Sequence, residues 1–554
     1  MKTYTVHEDY FAIENSIIDK LNLETFVDAT KYRVDNAFIN IGGWQSWNPC
    51  TDVLPGKQQP SLTCHYIHQW NSYLVFPESK YKPSKNLVLG QFVTYLRWND
   101  FYLVFASVGN VNGTLPPVQF IFNRRENNVS IEICDKGNSW KKDDITARIE
   151  IFTSDSYFDC KEKLAAIFGN DHFKSVRFLG KKPAGWESWY NHYTDINEKL
   201  IYEDLKNLNQ TKNIVNSSFN TSKIFQIDDG WEKALGDWQV REDRFPEGFN
   251  KITSEIEASG YIPGLWIAPF IIDSRSQTAC QHPDWLLHDE KGNLVPAGYN
   301  PLWGKKGTFY CLDLSRDEVI AHLLSIMDTI INKWGFRYIK LDFLYAGMLW
   351  GNYAQKTASY KIYSRAIKTL TSFTNTKDGS PVAYLGCGVP FELSFTSLPL
   401  SRIGCDTYEK WKNPVMRLLN WNGRNEAYLN IVDTLGHALW DKTIFLNDPD
   451  VIFIRNENCS LNENQKFLIA SVNGMFGSQL MYSDDPGLAG EEEKRLTNLF
   501  LNFSEKYENE EYGVKKLEEN FYEFFTKSGK YKGYINLKDD ETAISIKEDN
   551  QEAN

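Results

Sequence analysis

Apolar and polar positions follow two different rhythms along this chain, and the change falls near residue 180. Before it lie short runs rich in β-branched and aromatic residues, such as Asn86-Leu-Val-Leu-Gly-Gln-Phe-Val-Thr-Tyr-Leu and Phe101-Tyr-Leu-Val-Phe-Ala. Turn signals at Asn112-Gly113 and Lys136-Gly137-Asn138 separate such runs. This texture predicts strands packed as a β-sandwich over residues 1–175. After it, short apolar runs alternate with helical stretches, the mark of βα units. Strands are predicted at Ala184–Tyr190, Lys223–Asp228, Ile262–Pro269, Arg337–Phe343, Ala383–Gly388, Ser401–Asp406, Ile444–Asp448 and Gln479–Ser483. The clearest helix spans Asp317 to Trp334: Ser315 and Glu318 fit a capping box, and Gly335 fits a stop. Val319, Leu323, Ile326, Ile330 and Trp334 recur at helical spacing and are expected to face inward. Eight strands with intervening helices predict a (β/α)8 TIM barrel over 176–486. Residues 487–554 read as a helix followed by a small C-terminal β domain, with Lys547 to Asn554 frayed.

The length of 554 residues suits such a multidomain chain. Apolar residues make up 42% and charged residues 24%, as in an ordinary globular protein. The 17 Trp are mostly core residues in number, yet an indole face also stacks well on the C–H face of a sugar ring. With a net charge of −12 and no Lys/Arg stripe, the chain lacks the footprint of a nucleic-acid binder. Lys181-Lys182 and Lys305-Lys306 read as solvated loop charges. Nine scattered Cys with no Cys-x-x-Cys pair suggest reduced thiols, and the N-terminus has no apolar signal core. The longest apolar run, Tyr261 to Ile272, is too short to span a bilayer. The expectation is therefore a cytoplasmic protein with neither nucleic-acid nor membrane partners.

Candidate chemistry is sought where the barrel strands end. Those positions hold Asp228 and Asp229, Trp266, Lys340 and Asp342, Cys387, Arg402 and Asp406, then Asp448 and Asp450. One aspartate at a strand end is ordinarily a helix cap or a turn residue; it is the accumulation that suggests glycosidic bond cleavage. Retaining cleavage needs two carboxyl groups, roughly 5–5.5 Å apart, one attacking and one protonating the leaving oxygen. Asp342 is the better nucleophile candidate, because strand alternation sets Lys340 on the same face, where an ammonium would keep a carboxylate ionised. Asp406, on a later strand, is the candidate acid/base. Other chemistries find less support. No His-Glu-x-x-His occurs, and Cys64-His65-x-x-His68 reads more naturally as a packed or surface pair than a metal site. Gly304-Lys-Lys-Gly-Thr308 lacks phosphate-loop spacing, and no Gly-x-Ser-x-Gly elbow occurs.

The segments Gly185-Trp-Glu-Ser-Trp-Tyr, Gln226-Ile-Asp-Asp-Gly-Trp231, Gly264-Leu-Trp-Ile-Ala-Pro-Phe270, Lys340-Leu-Asp-Phe, Leu385-Gly-Cys-Gly388 and Ser401-Arg-Ile-Gly-Cys-Asp406 together resemble glycoside hydrolase family 36. Gly43-Trp-Gln-Ser-Trp47 and Leu446-Asn-Asp-Pro-Asp450 fit as well, in matching order, so the resemblance covers about residues 40 to 485. It is nearest to the compact bacterial and archaeal α-galactosidases of that family. It implies a β-sandwich, a catalytic barrel, a C-terminal β domain and net retention through a covalent galactosyl-enzyme. It implies Asp342 as nucleophile and Asp406 as acid/base, with Asp228 and Asp229 gripping the sugar O4 and O6. Trp266, Lys340, Cys387 and Arg402 match residues lining the galactose pocket, and either Trp47 or Trp70 would reach over it. One departure is Cys405, where Pro is commoner. No metal or organic cofactor is implied, and the implied partner is an oligosaccharide with terminal α-galactose. Melibiose, raffinose-type sugars and galactolipid headgroups all remain open as substrates. α-N-acetylgalactosaminidase, transglycosylase and a non-catalytic sugar-binding barrel stay open as alternatives, and a homo-oligomer is compatible with the sequence.

Overall fold

The computed structural model describes residues 2–8, 16–60, 81–108, 117–133, 145–180, 182–211, 213, 215, 222–300, 302–303, 307–418, 425–488, 490–507 and 509–548. The N-terminal region forms two antiparallel sheets. One runs in the order Lys2–Glu8, Ile145–Ser154, Phe101–Ser107, Val93–Trp98, Phe38–Asn40, Asp52–Val53; the other in the order Ser16–Asn22, Asn128–Ile133, Val118–Asn123, Leu87–Gln91. Strand Phe101–Ser107 is apolar on both faces for a reason. Leu103 and Phe105 enter the sandwich core, whereas Tyr102, Val104 and Ala106 join the larger core that continues into the barrel. Period-two alternation thus seats the sandwich on its neighbour.

The eight expected barrel strands are present in the expected order: Ala184–Glu187, Lys223–Ile227, Ile262–Ile267, Tyr338–Leu341, Ala383–Gly386, Leu400–Arg402, Leu446–Asp448 and Leu480–Tyr482. All pair in parallel with their neighbours. The ring closes through a broken seventh strand. Leu446–Asp448 pairs with the sixth strand, Pro449 and Asp450 turn the chain, and Val451–Ile452 pairs with the eighth. Asp450 sits at φ +74°, a left-handed conformation that this break requires. A small antiparallel sheet, Ile271–Ile272, Pro296–Tyr299 and Thr308–Cys311, is inserted after the third strand.

The helix after this insertion departs from expectation at both ends. Its N-cap is Arg316, without a side-chain cap bond. Ser315 is spent elsewhere, donating to Asp313 Oδ1 at 2.6 Å and accepting from Gln355 N at 3.0 Å, so no capping box forms. The α-helix covers Asp317–Asp328 and continues as a π-helical turn, Thr329–Lys333. The added residue turns the buried face: Val319, Leu323 and Ile330 are buried as expected, joined by Met327 and Ile331, while Ile326 and Trp334 are only half-buried.

At the C-terminal end, helix Glu491–Tyr507 precedes a four-stranded antiparallel meander, Tyr512–Glu518, Phe521–Thr526, Tyr531–Asn536 and Ala543–Glu548. The expected fraying from Lys547 is corrected here, because Lys547 and Glu548 pair with Lys532 and Tyr531. Among the described residues, no helix is long and apolar enough to cross a membrane.

Candidate active site

The carboxyl ends of the barrel strands gather around two buried cations. Lys340, on the fourth strand, donates from Nζ to Asp228 Oδ2 at 2.9 Å and lies 3.5 Å from Glu187 Oε2. Arg402, on the sixth, reaches three carboxyls: Asp448 through Nε at 2.8 Å, Asp406 through Nη1 at 3.2 Å and Asp450 through Nη2 at 2.7 Å. A rigid guanidinium fork serves such a role better than a point-charge ammonium.

Asp228 and Asp229 are aimed by the turn after the second strand. Gly230 there has φ +112°, and a Cβ at that position would stand 2.7 Å from the Thr194 carbonyl oxygen, so only glycine fits. Asp228 accepts from Gln226 Nε2 at 2.7 Å as well as from Lys340, and Asp229 N donates to its Oδ1 at 3.0 Å. Asp229 accepts from the Trp303 indole at 2.7 Å and hydrogen-bonds to Glu232. Burial lifts the Asp229 carboxyl to about 6, and burial beside Asp229 lifts Glu232 well above the usual range.

Asp342 follows the fourth strand, two residues beyond Lys340. Its Oδ2 accepts from Trp266 Nε1 at 2.9 Å and its Oδ1 from Phe343 N at 2.7 Å. The Lys340 ammonium bonds to Asp228 and reaches Asp342 only through its charge, while the direct donors to Asp342 are Trp266 and Phe343 N. Phe343 itself is left-handed at φ +54°, a conformation uncommon for an aromatic residue and of the kind that gathers at functional sites. Asp406 keeps 35% of its side-chain surface open, the remainder being enclosed by protein. Desolvation, then the charge of Asp450, raise its carboxyl to about 7 against the opposing pull of Arg402. Cys387 is buried between these groups, with its thiol pushed up by desolvation and by Asp342. Cys405 is likewise buried beside Asp406, and its carbonyl accepts from Asn430 Nδ2 at 3.0 Å. Trp47 packs edge-on against Phe343 and Tyr345, at centroid distances of 5.1 and 5.3 Å. Trp70, Cys64, His65 and His68 lie outside the described residues.

Sequence reasoning assigned no site role to Glu187, Glu232, Trp303, Asp448 or Asp450. Asp448 and Asp450 carried the strand-end signal, and Glu187 ends the first strand in the same way. Glu187 is buried and pushed up to about 8, by desolvation that outweighs Lys340. Trp303 had no local signal, since it meets Asp229 across 74 positions. Among the described residues, no cluster of His, Cys, Asp and Glu is arranged to hold a metal.

Fold and site define a parallel barrel whose mouth gathers acidic groups around two buried cations, an arrangement suited to carboxylate-based acid–base and nucleophilic chemistry. Residues 170–361 match the Melibiase family model. α-Galactosidase 1 of Pediococcus pentosaceus is 29% identical over 164 residues, 28% of this chain and 20% of that protein. Probable α-galactosidase C of Aspergillus flavus is 26% identical over 212 residues, 35% of this chain and 26% of its own length. The match thus spans about a quarter of the fungal relative. In structure, the chain resembles the α-galactosidase of Thermus thermophilus, with a TM-score of 0.65 and 24% identity over 88% of this chain and 89% of that one. It also resembles the family 36 α-galactosidase AgaA of Geobacillus stearothermophilus, with a TM-score of 0.60 and 14% identity over 91% and 67%.

Proposed function

We propose that this chain is a retaining α-galactosidase that releases terminal α-galactose from galacto-oligosaccharides. The observation that carries the reading is the contrast between Asp342 and Asp406. Asp342 accepts from Trp266 Nε1 and from Phe343 N, donors that fix its oxygens in place, while Asp406 has its carboxyl raised to about 7, which favours an acid at neutral pH. The relatives are named as α-galactosidases, and the Thermus structure was determined with a nitrophenyl α-galactoside and with stachyose.

In this reading an Asp342 oxygen attacks the anomeric carbon as the Asp406 proton passes to the departing glycosidic oxygen. The C–O bond to the leaving group breaks and a galactosyl ester forms on Asp342. Asp406, now a carboxylate, takes a proton from water, whose oxygen attacks the anomeric carbon and frees Asp342. Asp228 and Asp229 accept from the axial O4 hydroxyl and from the O6 hydroxyl. A sugar with an equatorial O4 would leave a buried acceptor unpaired, and that supplies the discrimination. Trp266 orients Asp342, and Arg402 positions Asp406. Hydrolysis of nitrophenyl α-galactoside, followed by NMR, is expected to release α-galactose first. Initial β-galactose would overturn retention. Faster turnover of the N-acetylgalactosaminide analogue would overturn the sugar assignment.

A further inference from the structure

The helix Ala427–Gly436, between the sixth and seventh barrel strands, carries polar residues on a buried face. Asn430, Asp433 and Thr434 are all buried, and their spacing puts them on one side of the helix. Apolar side chains are the ordinary occupants of such a face, and a buried amide or carboxyl is costly unless partners meet it. Thr434 is satisfied within the helix, where its hydroxyl donates to the Asn430 carbonyl at 2.8 Å. Asn430 and Asp433 reach outward instead.

Asn430 Nδ2 donates to the Cys405 carbonyl at 3.0 Å and to the Pro449 carbonyl at 2.9 Å. An amide nitrogen carries two protons, so its donor capacity is fully used. Cys405 immediately precedes Asp406, and Pro449 immediately precedes Asp450. One side chain thus ties the loop after the sixth strand to the break in the seventh. Asp433 holds the same loop from the other side of Cys405: it accepts from the Cys405 backbone and from Cys50 N, the latter at 2.9 Å. The loop runs hard against the helix, since a Cβ at Gly404 would stand 3.1 Å from Asp433 Cβ. Beyond Asp406, Thr407 N donates to Asp450 Oδ2 at 2.7 Å. Asp406 is therefore bracketed through both its neighbours. Its own carboxyl is held more loosely, by a 3.2 Å bond from Arg402, with 35% of the side chain open. The helix that does the bracketing is itself braced. Cys50 comes from the N-terminal region, and its carbonyl lies against Gly436 with no room for a Cβ. Tyr428 OH donates at 2.6 Å to Asn520 Oδ1, in the first turn of the C-terminal meander.

We propose that Asn430 is a positioning residue for the acid/base step: by holding the carbonyls that precede Asp406 and Asp450, it sets the Asp406 carboxyl against the leaving oxygen. The inference rests on the α-galactosidase reading for the role of Asp406. Asn430 is fully buried, so it acts through Asp406 and not on the sugar. A misplaced acid is felt only where the departing group needs a proton.

The test compares wild type, Asn430→Asp and Thr434→Val on melibiose and on α-galactosyl fluoride. The glucose of melibiose must be protonated as it leaves, whereas fluoride departs without a proton. Asn430→Asp keeps the shape and removes the amide donors. It is expected to lower kcat/KM about 30-fold on melibiose and by no more than about threefold on the fluoride. Asn430→Ala, which sets no charge beside the two carbonyls, should show the same split and takes over if the aspartate variant does not fold. Thr434→Val perturbs the helix without touching either loop and should leave both substrates within about twofold of wild type. Equal losses on both substrates in the Asn430 variants, or no loss on melibiose, would overturn the proposal. So would an equal split in Thr434→Val, because any strain in the helix would then suffice. A wild type inactive on both galactosides would sink the enzymatic reading, whereas an active wild type with unsplit Asn430 variants would overturn the positioning role alone.

Discussion

The two halves of the barrel mouth handle buried charge differently. Around Lys340, one ammonium meets two carboxyls, and Gln226 Nε2 donates to both of them. Around Arg402, one guanidinium meets three carboxyls, two of them almost fully buried. The second half carries more acid than its cation can balance. Its surplus shows on Asp406, whose carboxyl burial and the charge of Asp450 raise to about 7, while burial raises Asp450 itself against the pull of Arg402. An excess of carboxyls around one cation is thus a way to keep an acid protonated near neutrality; the Lys340 half carries one carboxyl fewer and raises one of its two, Glu187.

Exchanging the two aspartates' roles is the most severe test of this contrast. Asp342→Gly is expected to lower kcat by roughly 10⁴–10⁶-fold, with added azide restoring product as β-galactosyl azide. Asp406→Gly should be rescued as the α-azide. Reversed anomers, identified by NMR, would show that the protonated half supplies the nucleophile.

Removing the cations comes next. Arg402→Met leaves three carboxyls facing one another, and Lys340→Met leaves two. Breaking a buried pair in this way costs about 3–5 kcal/mol, and Arg402→Met should cost more. Denaturant unfolding at pH 7 checks the order; a larger loss for Lys340→Met would contradict the unequal loading of the halves.

What the sequence made legible, and what it hid, follows the same division. The eight barrel strands were readable because each is a short apolar run bounded by turns, a local property. The strand-end aspartates were readable because their positions follow from that pattern. The break in the seventh strand was not, since Pro449 and Asp450 acquire their role only when strands six and eight are already in place. The π-helical turn at Thr329–Lys333 was hidden too, because the apolar spacing continues through it. Lys340 lies two residues before Asp342, but its partner was set by the second strand, not by its own. Trp303 belongs to an inserted segment whose path no local signal encodes.

The pH profile sharpens the comparison on a finer scale. With Asp406 raised to about 7 and active when protonated, kcat/KM should fall on the alkaline side of neutrality. The Asp450 charge helps to hold that value up, so Asp450→Asn should move the alkaline limb toward acid by about one pH unit. Nitrophenyl α-galactoside kinetics from pH 4 to 9 measure this. An unmoved or alkaline-shifted limb would show that the Asp450 charge does not hold the Asp406 carboxyl up.

The smallest effect belongs to Glu187, in the Lys340 half. Its carboxyl is raised from an ordinary 4.5 to about 8, so at pH 7 the folded protein holds it protonated, and Glu187→Gln replaces one neutral group by another of similar shape. Gln226 Nε2, now 3.1 Å from Glu187 Oε2, can donate to the new amide oxygen instead. Turnover at pH 7 should change by less than about tenfold. Stability is the more telling readout. Below pH 4.5 both folded and unfolded chains hold the proton, and Glu187 adds no pH dependence. Between 4.5 and 8 the unfolded chain releases it while the folded chain keeps it, so wild-type stability falls as pH rises, by up to about 1.4 kcal/mol per pH unit from this group. Glu187→Gln removes that slope, and its stability relative to wild type should therefore grow steadily from pH 4.5 to 8. A constant difference across that window would mean that Lys340 keeps Glu187 ionised after all, and that only the Arg402 half of the barrel mouth relies on a protonated acid.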